Sequence, residues 1–176
     1  MIMKKFILLL AFVAVSITSN AQTWIGGNIG FDYQSAEGTS QTEIGFDLMG
    51  RYDLSQHFAI GLEVGEAISS SEGTRTNTLS VSPFIRYNCA KIGNGKFFLQ
   101  ASGGYGIMNV ENYGESAKIW AFGLTPGFSL PLSDKAEFEV GLGGFSWGKA
   151  SVYRESVSTT RFSLLTNIAI GFAFRL

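Results

Sequence analysis

The 176-residue chain contains few groups able to do chemistry. His57 is the single imidazole and Cys89 the single thiol. A disulfide scaffold, a thiolate zinc cluster and most imidazole metal sites are therefore excluded. His57 sits in the turn-like run Leu54-Ser55-Gln56-His57, where a solvated turn residue is the plain expectation. Cys89 is expected to end a strand as a small hydrophobe, buried or facing lipid. Gly93-Asn94-Gly95-Lys96 lacks the Walker spacing, and Gly103-Gly104-Tyr105-Gly106 lacks the following helix that a phosphate loop needs. No cofactor or metal is expected. What remains is a set of charges alternating with apolar neighbours: Asp47, Arg51, Glu63, Arg86, Glu139 and Arg175. On the inner face of a small barrel they must pair, because an isolated charge in low dielectric is costly. Paired, they form either a locked salt-bridge plug or an ion gate whose rearrangement opens a narrow path.

The elements that position these charges have period two and no sustained 3.6-residue period. Ile44, Phe46, Leu48 and Tyr52 alternate with Glu43, Asp47, Arg51 and Asp53. Phe58, Ile60, Leu62 and Val64 oppose Ala59, Gly61, Glu63 and Gly65, and Leu79, Val81, Ile85 and Tyr87 oppose Ser80, Ser82, Arg86 and Asn88. Trp120 to Leu130, Phe138 to Leu142 and Phe162 to Leu176 repeat the scheme. Residues 24–33 and 97–106 follow it less cleanly, and bulges are expected at their Gly pairs. The sum is eight strands. Short turns are expected at 54–57, 90–95 and 132–135. The opposite ends carry longer polar loops near 34–42, 67–77, 108–117 and 147–160, which hold Arg75, Lys149 and Arg154 among Glu72, Glu111, Glu115 and Glu155.

Composition agrees. The chain is 45% hydrophobic and 14% aromatic, with 22 Gly and only 15% charged residues, which excludes disorder. With 13 Lys+Arg against 14 Asp+Glu, no basic patch for nucleic acid is expected. Met1 to Ala21 read as a cleaved export signal: Lys4 and Lys5, the apolar Phe6–Val15, then Ser19-Asn20-Ala21. The apolar stretch is too short to span a bilayer as a helix. The mature region is one domain, 22–176.

Alternation alone does not say which face points inward. The polar face is dominated by Gly, Ala and Ser, small enough for a concave interior, whereas a water-facing outer surface would be crowded with Lys, Glu and Thr. The apolar face holds almost no charge, Glu66 at a strand end being the exception. Aromatics stand near strand ends on that face: Tyr33, Tyr52, Phe58, Tyr87, Tyr105, Trp120 and Phe174, as in the girdles of a membrane barrel. Strands of about 9–11 residues suit a tilted crossing. In lipid every backbone donor and acceptor must pair, and only closure removes the sheet edges. The expected fold is all-β, an eight-stranded antiparallel up-and-down transmembrane barrel.

At this point the chain resembles the OmpA/OmpX-like outer-membrane β-barrel family of Gram-negative bacteria, over Gln22–Leu176. The resemblance rests on the leader, the short-turn/long-loop alternation and the final strand, Asn167-Ile168-Ala169-Ile170-Gly171-Phe172-Ala173-Phe174-Arg175-Leu176. That strand is similar to the C-terminal signal read by the barrel-assembly machinery, carried here by Phe172, Phe174 and Leu176. The family usually ends in an aromatic residue, and this chain ends in Leu176. The resemblance implies an outer-membrane location, termini in the periplasm, loops at the cell surface and no appended peptidoglycan-binding domain. It implies outer-membrane lipid, lipopolysaccharide, the assembly machinery and periplasmic chaperones as partners, with a surface partner through the loops and a monomeric state. The implied role is membrane integrity or surface interaction without catalysis, with a narrow porin-like pore second and a lipid A-modifying enzyme third. The enzyme alternative needs His beside Ser on the outer-leaflet half of the barrel, and His57 adjoins a periplasmic turn.

Overall fold

The computed structural model describes residues 23–36, 39–71, 74–110, 116–152 and 155–176. The leader expected over 1–21, and the loop residues Glu72, Glu111, Glu115 and Arg154, lie outside the described residues. Eight strands follow in chain order: β1 (Thr23–Ala36), β2 (Thr39–Asp53), β3 (Phe58–Ser71), β4 (Thr74–Ile92), β5 (Gly95–Val110), β6 (Ser116–Ser133), β7 (Ala136–Val152) and β8 (Glu155–Arg175). Each pairs antiparallel with the next, and β8 returns to β1, so the sheet closes into a barrel. The Leu176 amide donates to the Thr23 carbonyl at 3.0 Å, tying the last residue to the start of the first strand. Trp24, Asn28 and Asp32 face inward, while Ile25, Ile29, Phe31 and Tyr33 are exposed on the outer wall. The apolar face is therefore the outer one.

The strands run 14 to 21 residues rather than 9–11. The Ser-, Thr- and Glu-rich segments taken for long loops continue the ladder, as in Thr42↔Ser70 and Lys149↔Ser158. Polar side chains on both faces erase the alternation there, although the backbone still pairs. Glu66 accordingly lies inside β3 rather than at its end; it is exposed and accepts a 2.6 Å hydrogen bond from the Asn77 side-chain amide. The turns shrink too. Gly93-Asn94 alone joins β4 to β5, with Gly93 at φ 60°, and Asp134-Lys135 joins β6 to β7.

The bulges are also elsewhere. Register is continuous along β1 and from Lys96↔Ser129 to Asn109↔Ser116 in β5. It shifts at Asn88/Ala90, Leu124/Gly127, Pro131/Ser133 and Gly141/Gly143. Cys89 is the residue left out at the first of these; it is exposed, and β4 runs on past it to Ile92. Its thiol donates to the Phe97 carbonyl at 3.4 Å. Gly143 (φ 74°) and Gly144 (φ 144°) turn β7 through the break at Gly141/Gly143, in conformations a side chain strongly disfavours.

Candidate functional site

The lumen is closed near the β2–β3 turn by large side chains from opposite walls. Trp24, Met49, Phe84 and Phe98 are buried there. Room for two of them comes from residues without a side chain. The Phe84 ring fills the space a Cβ on Gly61 would need, and the Phe98 ring does the same at Gly127.

Around these rings runs a charge web across the barrel. Arg51 on β2 donates through Nη1 to Glu139 Oε1 (2.5 Å) and through Nη2 to Glu137 Oε2 (2.8 Å), both on β7. Its Nε lies 3.0 Å from Asp53 Oδ1. Arg86 on β4 grips the same Glu139 in two places, Nη1 to Oε1 at 2.6 Å and Nη2 to Oε2 at 3.0 Å. Such a forked guanidinium–carboxylate pair fixes orientation as well as charge. Arg86 Nε and Nη2 also donate to Gln100 Oε1 (3.1 and 2.9 Å), and Gln100 Nε2 passes the link on to Glu63 Oε1 at 3.0 Å. Lys96 approaches Glu137 at 3.7 Å. Trp24 braces the web by donating Nε1 to Asp53 Oδ2 at 2.9 Å, with the Arg51 guanidinium 4.9 Å from its ring centroid. Arg51, Arg86, Glu137 and Glu139 are all buried.

Of the six inward charges read from the sequence, four thus join one network: Arg51, Arg86 and Glu139 directly and Glu63 through Gln100. Arg175 instead stacks on Trp24, 5.6 Å from its centroid, and forms no ion pair among the described residues. Asp47 lies higher, lining a cavity of about 320 Å³ with Glu63, Ser82 and Gln100. Toward the far rim, the inward charges with described side chains are all acidic: Asp32, Glu43 and Asp47.

Glu137, Asp53, Gln100, Lys96 and Trp24 were missed as network members. Glu137 was legible, since it stands two residues from Glu139 and so shares its face. Trp24 carries no such signal, because it stands in the run 24–33, where alternation does not separate the two faces.

That outer wall carries the other residues singled out. Tyr33, Tyr52, Phe58, Tyr87, Trp120 and Phe174 are exposed, and Tyr105 packs edge-on against Trp120 at 5.0 Å. Phe58 lies 5.0 Å from Tyr87. Phe172, Phe174 and Leu176 are exposed at the end of β8. His57 is exposed in the β2–β3 turn, its ring 6.4 Å from that of Tyr87. Among the described residues no group of three or more His, Cys, Asp or Glu could hold a metal ion.

No protein-family model matches the chain, and no curated protein matches it. Solved structures do. Neisserial surface protein A is 12% identical, with 90% of this chain and all of that chain covered at a TM-score of 0.64. The Yersinia pestis outer membrane protein Ail, also 12% identical, is matched over 89% of this chain and 100% of its own at a TM-score of 0.45. The first likeness establishes that the chain has the fold of a small closed eight-stranded barrel also found in a bacterial surface protein.

Proposed function

We propose that this chain is an integral outer-membrane barrel whose lumen is plugged and whose work is done at its outer surface and extramembrane rim, in membrane integrity or surface interaction, without catalysis. The observation that carries the proposal is the wall-to-wall web of Arg51, Arg86, Glu137 and Glu139 over buried Trp24, Phe84 and Phe98. Charges bound this tightly favour a fixed plug over a gate. The apolar outer wall and the ladder closed around it supply what lipid demands of a spanning sheet. The export leader expected over Met1 to Ala21 accords with delivery to that membrane.

The experiment is cell fractionation followed by electrophoresis of the outer-membrane fraction, boiled and unboiled, in SDS. A closed barrel resists the detergent until heated, so the unboiled protein is expected in that fraction at a shifted apparent mass. Recovery from the soluble periplasm without a shift overturns the proposal. A narrow pore is the second reading, favoured by the acidic cavity above the plug. In planar bilayers it requires a conductance well above that of protein-free controls, whereas the plug requires none.

A further inference from the structure

The ladder that closes the barrel is shorter than the strands it joins. β1 and β8 pair from Trp24↔Arg175 to Asp32↔Asn167, and among the described residues no pair joins them beyond that point. Both strands run on. β1 continues to Ala36 against β2 alone, and the far part of β8 lies against β7 alone, from Gly143↔Leu164 to Val152↔Glu155. The wall is therefore slit lengthwise between β1 and β8, starting at Asp32 and Asn167. The Asn167 side-chain amide donates to Asp32 Oδ2 at 3.4 Å, a tie across the foot of the slit.

A second cut crosses the first at that foot. The β7–β8 ladder breaks between Gly141↔Ala169 and Gly143↔Leu164, where Leu142 alone faces residues 165–168 of β8. The β6–β7 ladder breaks beside it, with Thr125-Pro126 against Leu142-Gly143-Gly144. Each break interrupts the backbone hydrogen bonds. Gly143 and Gly144, at φ 74° and 144°, have no Cβ to resist a further turn of the chain. The wall of β2, β3 and β4 has neither cut: its ladders run without a shift from Asp53↔Ala59 to Gln41↔Ser71 and from Phe58↔Tyr87 to Ser71↔Thr74.

Residues 143–152 and 155–164 thus hang from β6, along Leu124↔Phe145 to Lys118↔Ser151, and are free at their foot and along the β8 edge. Behind them lies the cavity of about 320 Å³, lined by Gly144 and Ser146 of this hairpin, by Asp47 and Ser102, and by Arg86 and Glu139 of the plug. We propose that residues 143–152 and 155–164 form a hinged flap that swings on β6 and opens this cavity sideways, through the slit between β1 and β8, to small solutes. The inference rests on the plug proposed above, since a cavity floored by the plug is blind and fills and empties on one side. Outward on the flap, Phe145 and Phe162 at the foot give way to Lys149 and Ser158 above, so the slit begins where the wall turns from apolar to polar.

The test uses the full chain in lipid nanodiscs with Cys89→Ala, carrying nitroxide spin labels at introduced pairs of cysteines. Tyr33→Cys with Thr160→Cys spans the slit, and Tyr33→Cys with Arg75→Cys spans the unbroken wall. Pulsed dipolar distances for the first pair are expected to spread wider than for the second by at least one strand spacing, roughly 5 Å. Entry is read separately, from Ser102→Cys at a cavity-lining position treated with a trimethylammonium methanethiosulfonate. A flap makes the labelling rate level off at the opening rate as reagent increases. Asn167→Ala, which loses one hydrogen bond across the slit, is expected to raise that plateau about fivefold. Equal spread in the two spin-label pairs overturns the proposal. So does labelling that stays proportional to reagent, which marks a lumen open without a flap. Failure of the plug shows instead as conductance of the parent protein in planar bilayers, with the distance distributions unchanged, so the two readings fail separately.

Discussion

Glu139 is the residue on which the plug turns. It accepts from Arg51 and Arg86 at once, and both guanidinium groups are buried. Removing one partner of a buried pair leaves an uncompensated charge, and the cost is about 3–5 kcal/mol. Glu139→Ala strands Arg86, which has no other carboxylate partner among the described residues, while Arg51 keeps Glu137 and Asp53. A loss within that range is therefore expected, measured by urea unfolding of the barrel refolded in lipid vesicles. Trp24→Phe keeps the ring that Arg51 stacks on but deletes the hydrogen bond to Asp53. A hydrogen bond to a charged group contributes about 1.5–3 kcal/mol, and a loss within that span is the expected outcome of the same measurement. A Trp24→Phe variant as stable as the parent means that Asp53 is held by Arg51 alone.

At the level of the strand, alternation made the walls legible and length illegible. Phe46, Leu48 and Tyr52 against Asp47 and Arg51 identify both faces of β2 without coordinates. The same rule fails over Thr39–Thr42 and Ser69–Ser71, where both faces are polar and the ladder continues unmarked. Glycine pairs mislead about bulges for a related reason. Gly26-Gly27 and Gly103-Gly104 resemble break points, yet they sit in continuous register, while the break at Gly141/Gly143 adjoins the positive φ of Gly143 and Gly144. Substitution separates the two kinds of glycine. Gly143→Ala forces a side chain into a left-handed conformation and is expected to cost about 1–2 kcal/mol. Gly103→Ala adds a Cβ with nothing within 4 Å and should be neutral or slightly stabilising. If both cost the same in vesicle unfolding, the β7 break does not need its glycine.

For the molecule as a whole, the charges of the lumen are unevenly distributed, and that sets the sign of whatever crosses if the plug is loosened. Near the plug, Arg51 and Arg86 face Glu137, Glu139, Asp53 and Glu63; above it the described inward charges are acids. Arg86→Ala removes a cation and leaves Glu139 and Glu63 facing open lumen. The expected result in planar bilayers is a small conductance, absent from the parent protein, that prefers cations. Glu139→Ala removes the shared anion instead and leaves Arg51 and Arg86 exposed to the path, so its reversal potential under a salt gradient should move toward anions relative to Arg86→Ala. Opposite shifts from two substitutions a few ångströms apart require the ions to pass the web itself. Conductance that is equal in all three proteins, or absent from both variants, places the barrier elsewhere, with the buried rings of Trp24, Phe84 and Phe98 as the part that holds the lumen shut.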